Sequence, residues 1–200
     1  SDHADEGYVL GGAQMQWLTE DLQLAKQAEE DGDIDYIIVY MHHSLYSVAS
    51  AGLGDSYTET KELRKQLQGV FAEYGVDLVM GGHDHIYSVT EVLDAYGEVT
   101  TDGGVVYLTG AVAGNNSPGS ASYWDREDVT ILYDGTLNTK DKYNAIIAGT
   151  DKTRCWTELS VTSNGIEVTT YTANDGTAKE LHSFTVKQNN VGTTFGTVSE

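Results

Sequence analysis

The chain has 200 residues, with 11 Lys and Arg against 31 Asp and Glu, a net charge of −20 and a pI near 4.4. Such an acidic surface disfavours nucleic acid and anionic membranes as partners, and a phosphorylated ligand would need a local cation to hold it. Cys155 is the only cysteine, which excludes a disulfide framework and a cysteine-rich zinc site, and no apolar run reaches the ~18 residues of a membrane span.

In chain order, residues 1–12 read as a linker or disordered end. They are polar and glycine-containing, and no apolar strand precedes Asp2-His3-Ala4-Asp5 to hold those side chains rigid. Met15, Leu18, Leu22 and Ala25 recur at helical spacing and predict a helix over 15–28. The run Glu29-Glu30-Asp31-Gly32-Asp33 opposes the helix dipole and reads as a solvated loop. Asp35 to Met41 is an apolar strand running into His42-His43-Ser44-Leu45-Tyr46, and 48–54 is a loop of small residues. Ser56 and Glu59 form a capping box. Leu63, Leu67, Val70, Phe71 and Tyr74 then mark one face of a second helix, which Gly75 stops. Val76 to Met80 is a buried strand ending in Gly81-Gly82-His83-Asp84-His85. A strand, a helix and a strand make a right-handed crossover, which puts both strand ends on one sheet edge and brings His42 near His83.

Further on, 87–93 and 105–109 read as strands, 111–122 as a loop of small residues and 124–149 as irregular. Strands over 156–161, 166–171 and 182–187, with turns at Ser163-Asn164-Gly165 and Asn174-Asp175-Gly176, predict an antiparallel meander. Cys155 reads as a buried small hydrophobe. His182 reads as structural or exposed, and its loss is expected to leave metal binding unchanged. The remaining residues, 191–200, read as a tail, and 13–190 as the structured body of the chain.

Four of the six histidines fall at two strand ends. His83 and His85 are two apart, so an extended backbone sends both imidazoles to one side. In an open α/β sheet, ligands gather beyond the carboxyl ends of the strands, and neutral imidazole is the commonest nitrogen ligand of Zn, Fe and Mn-type ions. The pattern points to a metal site. The alternatives are loop histidines bonded to backbone and a buried structural pair.

Met41-His42-His43-Ser44-Leu45-Tyr46, followed after a helix and a buried strand by Gly82-His83-Asp84-His85-Ile86-Tyr87, resembles the calcineurin-like metallophosphoesterases and their purple acid phosphatase branch. That family carries Met-His-x-(Pro/Ser)-(Leu/Met)-Tyr and then Gly-His-x-His-x-Tyr, in this order and with this intervening helix. The resemblance is specific from Tyr8 to about Gly114. It implies an αββα sandwich, of which this chain is the C-terminal half, with a mixed sheet and a C-terminal meander. The family's upstream aspartate, asparagine and histidine motifs have no counterpart before Tyr8, so the expected partner is a missing N-terminal half, lost through processing or deliberate truncation.

The resemblance further implies a hydrolase that uses two divalent or trivalent ions (Fe, Zn or Mn) to activate water for attack on a phosphoester. His42 and His83 would bind one ion and His85 the other. His43 occupies a position that varies in the family, and it would support the ligands from behind. Asp84 would either orient an imidazole or face solvent, and Tyr46 and Tyr87 would pack beneath the site. The family's general acid lies upstream, so no catalytic residue is assigned within this chain. An extracellular or cell-surface location follows from the same resemblance and from the low lysine and cysteine content. The alternative function is a non-catalytic metal-binding or structural module that keeps three histidines.

Overall fold

In the computed structural model, residues 12–46, 58–83, 87–110, 130–133, 136–138, 145–147, 155–172 and 176–196 are described. Among them, two α-helices, α1 (Gly12–Glu30) and α2 (Thr58–Glu73), and a short 3-10 helix (Gln188–Asn190) accompany eleven strands. The strands are β1 (Ile38–His43), β2 (Leu78–Gly82), β3 (Ser88–Thr90), β4 (Val106–Thr109), β5 (Thr130–Tyr133), β6 (Thr136–Asn138), β7 (Ala145–Ile147), β8 (Cys155–Thr162), β9 (Gly165–Thr172), β10 (Lys179–Val186) and β11 (Thr194–Phe195). The predicted capping box at Ser56 and the small-residue loops at 48–54 and 111–122 lie outside the described residues.

The first sheet is mixed, in the order β1-β2-β4-β3-β7. β1, β2 and β4 run parallel, while β3 is antiparallel to both β4 and β7. The second sheet is the predicted meander, wholly antiparallel in the order β11-β10-β9-β8.

Alternation along the strands sets the layers. Leu78, Met80, Val106 and Leu108 face the second sheet and meet Ile166, Val168, Leu181, Phe184 and Val186. Val79, Val105 and Tyr107 face the other way, against Leu22 of α1 and Leu63, Leu67 and Phe71 of α2. Helices, mixed sheet and antiparallel sheet therefore form three layers around two apolar cores. Each fully buried large apolar side chain contributes about 1.5–3 kcal/mol to holding them together.

Three stretches depart from the sequence expectations. The stretch 124–149 holds β5, β6 and β7, and β7 extends the mixed sheet beyond β3. Its strands are only three or four residues long, too short to show a period. Within the expected tail, β11 pairs with β10, and Phe195 packs against Phe184 at 5.6 Å between ring centres. The acidic run at 29–33 is not a solvated loop throughout, because α1 continues to Glu30 and Glu29 is buried. Lys26 Nζ lies 3.3 Å from the Glu29 carboxylate, and the side-chain amides of Gln188 and Asn189 donate to it. A local cation and two donors thus offset the unfavourable helix dipole.

Glu29 belongs to a buckle at the amino edge of the mixed sheet. The buried Asp77 carboxylate accepts the Ile37 N–H at 2.8 Å and the Asn189 N–H at 2.6 Å. The Asn190 side chain donates to the carbonyls of Asp77 and Gly104. This ties the chain after β10 to the starts of β1 and β2. Between the sheets, the Tyr87 hydroxyl pairs with His182 Nδ1 at 2.8 Å, and His182 is fully buried, so it is structural rather than exposed. Cys155 is buried in the same core.

Candidate metal centre

Parallel pairing of β1 with β2 places their carboxyl ends side by side, at the edge opposite the Asp77 buckle. His42 and His43 end β1, and His83 directly follows β2. His83 adopts φ 67°, a left-handed conformation uncommon for a side-chain-bearing residue, so the strand turns sharply there. His42 Nε2 and His83 Nδ1 are 3.3 Å apart. This is within hydrogen-bond range, with donor and acceptor set by tautomer.

His43 joins the pair. One ring nitrogen from each of His42, His43 and His83 lies within 4.8 Å of the others. Ring centres are 5.0 Å apart for His42–His43, 5.2 Å for His42–His83 and 4.5 Å for His43–His83. His42 is exposed, and the other two are half-buried. The expected supporting residue therefore stands in the cluster itself. The described residues end at His83 on this turn, so Asp84 and His85 lie outside them.

A register shift explains why adjacent histidines share one side. Tyr40 pairs with Met80 and His43 with Gly82, so β1 uses three residues where β2 uses two. A regular strand would send His42 and His43 to opposite faces, and an extra residue breaks that alternation.

The turn after the bulge is held from two directions. The Ser44 hydroxyl donates to the Tyr46 carbonyl at 2.7 Å and lies 2.6 Å from the Thr109 hydroxyl of β4. From α2, the buried Arg64 guanidinium donates to the Leu45 carbonyl at 2.9 Å and sits 5.0 Å from the Tyr46 ring centre. The Tyr46 hydroxyl donates to Gln68 at 2.7 Å. Tyr46 also packs against Tyr107, whose pKa is raised by burial and by the neighbouring Tyr46 hydroxyl, with Arg64 pulling it back. Tyr46 and Tyr87 are both buried, and the Tyr87 hydroxyl bonds to His182 instead of turning toward the histidine edge.

Sequence reading passed over Arg64, Gln68 and Thr109. The signal for Arg64 was a charge in register with Leu67 and Phe71 on an apolar helix face. Thr109 carried no comparable signal.

Gly81 fits the bulge closely. A Cβ there would meet Ser44 Cα at 3.2 Å and the His43 carbonyl at 3.4 Å, whereas one at Gly82 would meet the His42 carbonyl only at 3.7 Å. Gly81→Ala is therefore expected to displace the bulge and weaken metal binding roughly tenfold, at a stability cost of about 1–3 kcal/mol. Gly82→Ala should do much less. Calorimetric titration of both variants with Zn(II) checks this, and equal affinities would refute it.

The donor set suits a transition-metal ion. Zn–N bonds of about 2.0–2.1 Å in a tetrahedral site set neighbouring nitrogens about 3.3 Å apart, which is the His42–His83 separation. Imidazoles without thiolate favour Zn, Fe, Co or Cu-type ions over Mg or Ca.

No family model matches the sequence. Purple acid phosphatase 1 of Ipomoea batatas is 30% identical over 125 residues, covering 58% of this chain and 24% of that protein. Human tartrate-resistant acid phosphatase type 5 is 34% identical over 76 residues, covering 38% of this chain and 19% of that protein. The purple acid phosphatase PPD1 from yellow lupin seeds superposes with a TM-score of 0.56 at 17% identity, over 86% of this chain and 28% of that structure. The last match speaks to fold alone. The chain spans a quarter or less of the length of these curated relatives.

Proposed function

We propose that this chain, related over the matched part to the purple acid phosphatase-like metallophosphoesterases, is the histidine-bearing part of a metal-dependent phosphoester hydrolase. The observation that carries the reading is the meeting of His42 and His83, from two parallel strands, at a nitrogen separation suited to one metal ion. His42 and His83 would hold one ion of a dinuclear pair and His85 would contribute to the other. The bridging carboxylate and the remaining ligands would come from an N-terminal half of the same domain. Such a centre lowers the pKa of a bound water and neutralises charge on phosphoryl oxygens. Within this chain, the bulge and the Gly81 approach aim the imidazoles, and Arg64, Ser44 and Thr109 fix the turn behind them.

With a net charge of −20 the chain repels a phosphoester at long range, so the bound ions would supply the attraction that the protein surface lacks. Among the described residues no helix is long and apolar enough to cross a membrane. We extend the reading to an extracellular or cell-surface location, on the resemblance alone.

The 200-residue chain by itself is expected to hydrolyse an aryl phosphate negligibly, and a protein that also carries the upstream Asp, Asn and His motifs should do so in a metal-dependent way. Steady-state assays on both, with and without chelator, test this. Robust turnover by the chain alone, or none by the longer protein, would refute it.

A further inference from the structure

We propose that His43 is itself a metal-ligating imidazole, so that His42, His43 and His83 together hold one divalent ion and leave a coordination position open. The inference rests on the reading of this edge as a metal centre, and adds a ligand that strand alternation would exclude.

Three observations carry it. The register shift between Tyr40 and His43 is confined to the last residues of β1, where the two consecutive imidazoles stand 5.0 Å apart between ring centres. One nitrogen from each of the three rings already lies within 4.8 Å of the others, and the closest ring centres are those of His43 and His83, at 4.5 Å. The backbone on either side of the bulge is fixed: Gly81 abuts His43 and Ser44, and Thr109 and Arg64 hold Ser44 and Leu45. A residue that only filled space behind the ligands would need neither the bulge nor this fastening. Three neutral nitrogens with a fourth position open is the donor pattern of a catalytic zinc site. The ion it selects is a borderline divalent metal such as Zn(II) or Co(II), in preference to Mg(II) or Ca(II).

The test is titration of the 200-residue chain with Co(II), read by visible absorption, and with Zn(II), read by calorimetry. Wild type, His43→Ala, His43→Gln and His42→Ala are compared, with circular dichroism confirming the fold of each. The expected result is one tight Zn(II) on the three imidazoles, affinity at least about 100-fold lower in either His43 variant, and a cobalt spectrum changed in band position as well as intensity. A residue that merely positions its neighbours would leave the band positions unmoved. Folded His43 variants with wild-type affinity and an unchanged spectrum overturn the inference, as does a folded wild-type chain that takes up no ion. The hydrolase reading fails separately: a longer protein that binds metal through His43 yet hydrolyses no phosphoester would refute that reading alone.

Discussion

Replacing His83 with alanine is expected to lower the affinity of the chain for Zn(II) by about 100- to 1,000-fold. A structural zinc site contributes about 10–16 kcal/mol through four ligands, so one ligand accounts for roughly 2.5–4 kcal/mol, or two to three decades. His83 should be the most costly of the three to lose. It sits on the turn fixed by its own left-handed backbone, and it neighbours both other rings. Protons compete with the ion for ring nitrogens, so affinity should also fall as the pH is lowered. His182→Ala is the control. His182 lies in the inter-sheet core, bonded to Tyr87, so its loss should reduce stability and leave affinity alone. Calorimetry on the two variants decides the matter, and equal losses of affinity would remove His83 from the site.

Much of this edge was legible in the sequence because its signals are short and local. An apolar run ending in Gly81-Gly82-His83 announces a buried strand, a sharp turn and a histidine at the strand end within a few residues, and the intervening helix fixes the parallel crossover. The meander was legible for a similar reason, since Ser163-Asn164-Gly165 marks a hairpin whose glycine adopts φ 138° against the Val186 carbonyl. What escaped was whatever depends on pairing between segments remote in sequence. His43 could be placed in the cluster only after the β1–β2 register was known, because a bulge leaves no mark in the residues on either side of it. Arg64 went unremarked because its partner, the carbonyl of Leu45, lies nineteen residues away. Glu29 looked solvated because the cation and amides that receive it come partly from Gln188 and Asn189, at the far end of the chain.

The dependence of stability on pH should separate two buried groups that act in opposite directions. Burial raises the Asp77 carboxyl to about 6, against backbone donors from Ile37 and Asn189 that favour the charged form; of the neighbouring charges, Glu29 adds to the rise and Lys26 opposes it. Its folded value exceeds the unfolded one, so its contribution is fully present below about pH 4 and is lost as pH rises through 6. Burial lowers His182 to about 4, while a backbone contact with Gly196 and the Glu180 charge pull it upward. Its folded value lies below the unfolded one, so its contribution is present above about pH 6.5 and is lost as pH falls toward 4. Each spans about two units or slightly more, worth about 3 kcal/mol. Over the shared window the two slopes nearly cancel, one proton being favoured by the folded state at Asp77 while another is refused at His182. Substitution breaks the balance. Relative to wild type, His182→Gln should become less stable by about 3 kcal/mol between pH 4 and pH 7. Over the same range the deficit of Asp77→Asn should shrink by a similar amount. Both variants also carry fixed costs, since the Asp77→Asn amide would give up an acceptor for one backbone N–H, but a fixed cost does not alter the slope. Urea unfolding of wild type and both variants at half-unit intervals measures the differences directly, so titration of the many other acidic groups cancels. Variant profiles running parallel to wild type would show that neither group titrates across the folding transition as its burial demands.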